Sequence, residues 1–189
     1  RECVTKASKA ANWSQKKNNK TPFKGIGLAC CNHVSGNRPF AREFDGGSGI
    51  VRVGKDGRIT VFHGESDMGQ GQNTTFAQIV AERLGVTMDM VNVAQVDTDI
   101  SPFGLGSFAT RGTLMGGNGV LAAAKDAYDQ MADIAADMLN TKAADVACRK
   151  AMFFSKSSSE TKISFQDIAS EATIRHHGAP IVGTGFYKP

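Results

Sequence analysis

The chain has 189 residues, 41% hydrophobic and 21% charged, the balance of a globular domain with an apolar core rather than of a disordered segment. No apolar run approaches the ~18–20 residues a membrane helix needs. The net charge of +4 is unevenly spread: residues 1–60 carry 12 basic and 4 acidic side chains, whereas residues 61–120 carry 2 and 6.

Cys3 to Trp13 places Val4, Ala7, Ala10 and Ala11 at helical spacing and predicts a helix. Ser14 to Thr21 is rich in Lys and Asn and reads as a linker, so residues 1–24 form an N-terminal helix and basic linker ahead of a main domain over 25–189. No aromatic residues interleave the lysines of this stretch, as a base-stacking platform would require. Neither a nucleic-acid nor a membrane partner is expected. Gly25 to Val34 reads as extended and Ser35 to Gly47 as a loop. Cys3, Cys30, Cys31 and Cys148 contain no Cys-x-x-Cys pair, so no zinc site or iron–sulfur cluster is supported. With no secretory signal at the start they read as reduced thiols in a cytoplasmic protein. The chain opens on Arg1 and closes at Lys188-Pro189 straight after an apolar run, which reads as a piece of a longer polypeptide.

A hairpin follows: Ile50, Val51 and Val53 lead into Asp56-Gly57, and Ile59, Val61 and Phe62 lead out. Asp-Gly favours the turn because both residues tolerate positive φ. A helix is predicted from about Asn73 to Leu84, stopped by Gly85, and an alternating strand from Met90 to Val96. Asp97 to Gly112 is a long irregular stretch, of a length usually reserved for function. A long helix is predicted over Thr113–Leu139, a strand over Met152–Phe154, and a helix to Arg175 that starts at Ser164 and Asp167 in a variant capping box. A last strand spans Ala179–Tyr187. Strands interspersed with helices give an α+β fold of mixed β-sheet layers packed with helices.

Two glycine-rich loops carry the chemistry. Gly69-Gln70-Gly71 lies between a strand and a helix, where unpaired N–H groups and the helix dipole favour an anion. The alternative is an ordinary turn capped by Asn73. The second loop, Gly104 to Thr113, also leads into a helix and adds hydroxyls at Ser107, Thr110 and Thr113 and a cation at Arg111. Arg111 reads equally as a ligand contact or as an ion-pair partner of Asp97 or Asp99. Neither loop is a Walker loop, and Gly104–Ala109 matches the Rossmann fingerprint by letters alone because no strand directly precedes it. His33, His63, His176 and His177 form no metal-ligand spacing. The carboxylates near the loops are Glu65, Asp67, Asp97 and Asp99, and no catalytic residue is assigned.

Taken in order, Glu65–Gly71 (ESDMGQG), Gln78–Gly85 (QIVAERLG), Asp97-Thr98 with Pro102, Ser107–Thr113 (SFATRGT) and Gly116-Gly117-Asn118 resemble the molybdopterin-binding part of the xanthine oxidase family. The flanks, Gly25–Cys31 with Val34–Gly36 and Gly178–Phe186, are similar to the large subunit of 4-hydroxybenzoyl-CoA reductase and its relatives. The resemblance implies a molybdenum atom held by a pterin dithiolene, the cofactor in its cytosine dinucleotide form, with no protein ligand to the metal. Carried to this chain, it implies cofactor contacts at Met68, Gly69, Gln70 and Gly71, and at Ser107, Phe108, Ala109, Thr110, Arg111, Gly112 and Thr113. It also implies partners: the remainder of a large subunit, and iron–sulfur and FAD-bearing subunits. The implied substrate is a small aromatic thioester, reductively dehydroxylated from 4-hydroxybenzoyl-CoA to benzoyl-CoA. An aldehyde or N-heterocycle hydroxylase, or a non-redox module for a phosphate ligand, are the alternatives. The family's catalytic glutamate follows a Gly-rich turn that has no counterpart here, so the isolated fragment is expected to be inactive.

Overall fold

A computed structural model of the chain describes residues 1–31, 33, 45–158 and 160–189. Residues 1–34 and 35–189 cluster as two separate units. In chain order the elements are α1 (Glu2–Ala10), α2 (Trp13–Lys16), β1 (Gly47–Val53), β2 (Ile59–His63), α3 (Gln72–Leu84), β3 (Val91–Val93), α4 (Gly117–Met138), β4 (Val146–Arg149), β5 (Met152–Ser155), β6 (Lys162–Ser164), α5 (Phe165–Arg175) and β7 (Ile181–Tyr187).

In the first unit the single helix expected over Cys3–Trp13 is broken. Asn12 adopts φ 52°, the left-handed region that Asn tolerates better than most residues, so α2 restarts at Trp13. α1 buries no residue. The expected extended segment Gly25–Val34 forms no strand at its described residues. Most of the expected loop Ser35–Gly47 lies outside the described residues, and Gly47 opens β1.

The second unit is built on a mixed sheet of order β3-β2-β1-β7, antiparallel except for the β2–β3 pair. The β1–β2 hairpin turns at Asp56-Gly57. Gly57 has φ 79°, and Asp56 Oδ1 accepts the Arg58 N–H at 3.1 Å. Alternation along the strands turns Val51, Val53, Ile59 and Val61 into the core, against Phe76, Val80 and Leu84 of α3 and Val120, Ala123, Ala127 and Met131 of α4. Burying one side chain of this size contributes about 1.5–3 kcal/mol.

α4 lies close against the sheet because glycines face it. Gly49 and Gly185 are register partners on β1 and β7. A Cβ on Gly49 would stand 2.8 Å from Val120 Cα, and one on Gly185 would run into the Ala123 backbone nitrogen. The strand expected over Met90–Val96 is shorter than its alternation implies. It pairs with β2 only from Val91 to Val93, and a 3₁₀ turn takes up Met88–Met90.

A second antiparallel sheet, β4-β5-β6, packs with α5. β4 and β6 are too short to show an alternation in the sequence, while β5 extends the predicted Met152–Phe154 by one residue. Phe153 stacks on Phe165 at 5.8 Å between ring centroids. α5 begins as expected: Ser164 Oγ accepts the Asp167 N–H at 3.0 Å and donates to Asp167 Oδ2 at 2.6 Å.

Candidate functional site

The first loop leaves β2 at His63. His63 Nδ1 accepts the Glu65 N–H at 3.2 Å, and because that N–H can only donate, the ring proton sits on Nε2 and is given to Asn73 Oδ1 at 3.1 Å. Burial lowers the His63 pKa, against raising contributions from the Asn73 and Glu65 hydrogen bonds and the Asp67 charge. The Asn73 side chain is thus committed to His63 and does not cap α3.

Asp67 caps it instead. Its Oδ1 accepts the N–H groups of Gly69 and Gly71 at 3.0 and 3.2 Å, and its Oδ2 accepts that of Asn73 at 3.0 Å. These backbone bonds hold the Asp67 carboxyl below its usual pKa, with Asn73 the largest contributor. The main-chain donors that glycine spacing offers to an outside anion are therefore filled from within. Gln70 closes the turn: its Oε1 accepts Met68 N–H at 2.6 Å and its Nε2 donates to the Ser66 carbonyl at 2.9 Å.

The second loop is tied to the first at three places. Gly104 crosses Gly64 so tightly that a Cβ on Gly64 would lie 2.5 Å from Gly104 N. Ser107 Oγ donates to the Ser66 carbonyl at 2.5 Å. Arg111 is fully buried. Its Nη1 donates to Glu65 Oε1 at 2.6 Å and to the Gly106 carbonyl at 2.9 Å, its Nε to Asp45 Oδ1 at 3.3 Å, and its Nη2 to the Gly46 carbonyl. The expected pairing of Arg111 with Asp97 or Asp99 does not form. Asp97 serves its own loop, accepting the Asp99 N–H at 2.9 Å. Burial raises the Glu65 pKa and the Arg111 hydrogen bond and charge oppose that rise.

Between Gly106 and Gly112 the backbone is strained. Ala109 and Thr110 have φ of 47° and 61°, costing of order 1–3 kcal/mol each for residues with a Cβ. A π-helical turn over Gly112–Gly116 then leads into α4, a local widening that recurs at functional sites.

Met68, Gln70 and Gln72 from the first loop, and Ser107, Phe108, Ala109, Thr110, Arg111, Gly112 and Thr113 from the second, line one cleft of about 450 Å³. Gly69 and Gly71 shape the turn beside it through their bonds to Asp67 and are not among the lining residues. Two buried polar atoms lack a partner among the described residues, Glu65 Oε2 and Gln72 Nε2. A cleft joining two glycine-rich loops, one of them strained at Ala109 and Thr110, with an unsatisfied amide in its wall, is a candidate ligand site.

Residues 4–189 match the molybdopterin cofactor-binding domain family. The chain belongs to that family. The xanthine dehydrogenase molybdenum-binding subunit of Escherichia coli O157:H7 is 30% identical over 178 residues, covering 90% of this chain and 23% of that protein. The carbon monoxide dehydrogenase large chain of Hydrogenophaga pseudoflava is 30% identical over 159 residues, covering 82% and 20%. The structure of quinoline 2-oxidoreductase from Pseudomonas putida 86 superposes with a TM-score of 0.70 at 25% identity, over 76% of this chain and 19% of that one. The chain thus spans about a fifth of the length of these relatives, and the family's α+β cofactor-binding architecture is the one described above.

The residues present suit a molybdopterin: the cleft has in its wall the Gln72 side chain with its unpaired amide donor, a hydroxyl at Thr113, and apolar surface at Met68 and Phe108. Among the described residues no group of three or more His, Cys, Asp or Glu is placed to hold a metal ion. Two site residues, Asp45 and Gln72, escape a reading of the sequence, as does the pairing of Glu65 with Arg111. Asp45 and Glu65 are distant in the chain from Arg111, and nearer acids compete for it. Gln72 follows Gly71 directly, and its position shows no pattern that separates a wall residue from a first-turn polar residue.

Proposed function

We propose that residues 25–189 are a molybdopterin-binding domain of a larger molybdenum-dependent oxidoreductase, its two loops between Met68 and Thr113 forming one wall of the cofactor site, with residues 1–24 a helical segment and basic linker. The observation that carries this reading is the convergence of the two loops, whose nearest lining residues, Gln72 and Ser107, are 35 positions apart, on a single cleft and their three mutual ties. When bound, the cofactor supplies two-electron chemistry coupled to oxygen transfer at an activated carbon of the substrate.

The chain's own residues bind and orient. Asp67 and Gln70 lock the first turn, so that Met68 is held out over the cleft. Arg111, fixed by two carboxylates, holds the second loop in its strained path so that Phe108, Ala109 and Thr110 form the facing wall. Rigid walls of this kind exclude water and fix the ligand's attitude. Met68, Ile100, Phe103, Phe108 and Leu114 are exposed apolar residues on and near these loops. They support the remainder of a large subunit as a partner; iron–sulfur and flavin subunits beyond it, and the cytosine dinucleotide as the cofactor's form, rest on the family resemblance alone. Free cysteines at all four positions fit a cytoplasmic setting.

For the substrate, hydroxylation of an N-heterocycle is the reading the relatives favour, since xanthine dehydrogenase and quinoline 2-oxidoreductase are named for such compounds. Reductive dehydroxylation of 4-hydroxybenzoyl-CoA rests on the similarity of the flanks Gly25–Cys31 and Gly178–Phe186 alone. The deciding experiment is to produce the complete subunit with its partners in a cofactor-synthesising host and measure bound molybdenum and pterin. Turnover is then compared for quinoline, xanthine and 4-hydroxybenzoyl-CoA. Stoichiometric pterin with N-heterocycle turnover supports the proposal; a complex without pterin overturns it.

A further inference from the structure

We propose that Gln72 is a ligand-binding residue of the cleft, its side-chain Nε2 donating to an uncharged acceptor, a carbonyl oxygen or ring nitrogen, on the heterocycle of the bound cofactor. This rests on the cofactor-binding reading and adds to it a residue outside the segments that carried the resemblance. Gln72 is 4% exposed, and its Nε2 has no partner among the described residues. A buried amide donor left unsatisfied is costly, and an explanation is required of each one a native fold retains. Gln72 lines the cleft and its Nε2 lies beneath the cleft surface, so a bound group reaches that donor through a small turn of the side chain.

The neighbouring groups are already spent. Both ends of the Gln70 amide close its own turn, on Met68 N–H and the Ser66 carbonyl. The N–H groups of Gly69, Gly71 and Asn73 are taken by Asp67. The first loop therefore presents a side-chain amide to a ligand rather than a main-chain anion nest. The Asp67 carboxylate at the same helix end repels a phosphate, and the neutral Gln72 amide suits an uncharged acceptor. The amide is held in place from the second loop: a Cβ on Gly112 would press into Gln72 Oε1, so the bare backbone there gives the side chain its room.

The test compares the complete subunit carrying Gln72→Met, which keeps length and removes the donor, with wild type and Gln70→Met. All are produced in a molybdopterin-synthesising host. Molybdenum and oxidatively released pterin are measured per polypeptide after gel filtration, and thermal unfolding is followed with cofactor stripped. Gln72→Met is expected to retain about tenfold less pterin, the loss of one buried hydrogen bond, while its cofactor-free unfolding midpoint equals or exceeds that of wild type. Gln70→Met is expected to unfold at lower temperature because its turn opens. Wild-type pterin retention in Gln72→Met overturns the proposal and leaves the cofactor-binding reading standing. So does a lowered cofactor-free midpoint in that variant, which would make Gln72 structural. A wild-type subunit with no pterin overturns both.

Discussion

Arg111 Nη1 meets Glu65 Oε1 at 2.6 Å across 46 residues of sequence, and neither side chain is exposed to solvent. With Asp45 Oδ1 on the guanidinium Nε, one cation holds the start of β1, the exit of β2 and the loop that enters α4. Removing one partner of a buried ionic group leaves uncompensated charge and costs about 3–5 kcal/mol. Arg111→Met is therefore expected to destabilise the fold by that amount in urea unfolding. The loss has a pH signature. Burial raises the Glu65 pKa from 4.5 and Arg111 opposes the rise, so deleting Arg111 raises it further. A carboxyl with a raised folded pKa contributes stability below its unfolded pKa that is lost as pH rises through the folded value. The variant should accordingly be weaker at neutral pH than at mildly acidic pH, and adding Glu65→Gln should reduce that dependence.

Gly185 on β7 shows how close α4 comes to the sheet. A methyl group there would enter the backbone of Ala123, and one on Gly183 would lie 2.5 Å from Ala127 N. The obstacles are main-chain atoms, which cannot rotate away. Gly185→Ala is expected to cost about 1–3 kcal/mol, as overpacking does. Val182→Ala, whose side chain points outward and is 40% exposed, should change stability by less than about 0.5 kcal/mol. Because α4 begins at the π-helical turn of the site, the Gly185 variant should also perturb the amide resonances of Gly112 and Thr113.

The elements that could be read from the sequence are those whose signal is local. Asp56-Gly57 marks its hairpin, Gly85 with φ 72° ends α3, and Ser164 with Asp167 opens α5, because each acts on residues two to four positions away. The sites of the two loops could be read for the same reason, as glycine and hydroxyl residues ahead of helices. What those loops bond to is set by the tertiary fold. Nothing near Arg111 in sequence points to Asp45 or Glu65, whereas Asp97 and Asp99 are nearer and wrong. Asn73 has the composition of a cap, yet Asp67 takes the role, since the positive φ of Gly69 and Gly71, 104° and 79°, curls the chain around a carboxylate placed before the glycines. β3 looks longer in sequence than in the fold because alternation continues past Val93, the last residue in register with β2.

Asp67 yields a residue-resolved prediction. Its Oδ1 serves Gly69 and Gly71 while its Oδ2 serves Asn73. Asp67→Ala should accelerate hydrogen exchange at all three amides. Asp67→Asn retains one oxygen for the two glycines and turns an NH₂ donor toward the Asn73 N–H, so exchange should rise at Asn73 alone. Equal acceleration at all three amides in Asp67→Asn would show that charge rather than geometry holds the turn.

Asp145 contributes to the acid limb of stability. Its Oδ2 accepts Ser157 Oγ at 2.6 Å, Thr141 Oγ1 at 3.2 Å and, in a short contact, Ser155 Oγ. The Ser155 hydrogen bond is the largest cause, followed by Ser157, of the fall in its pKa from 3.8 to about 2. A depressed carboxyl contributes stability that is whole above its unfolded pKa and lost as pH falls through the folded one. The window is therefore 3.8 down to about 2. Asp145→Asn removes the charge while keeping an oxygen acceptor for the hydroxyls. In urea unfolding the wild type should exceed this variant by a constant margin above about pH 5, and the margin should shrink through that window and close at its acid end. A margin that persists to the lowest pH would assign the contribution of Asp145 to hydrogen-bond geometry, with no part played by its charge.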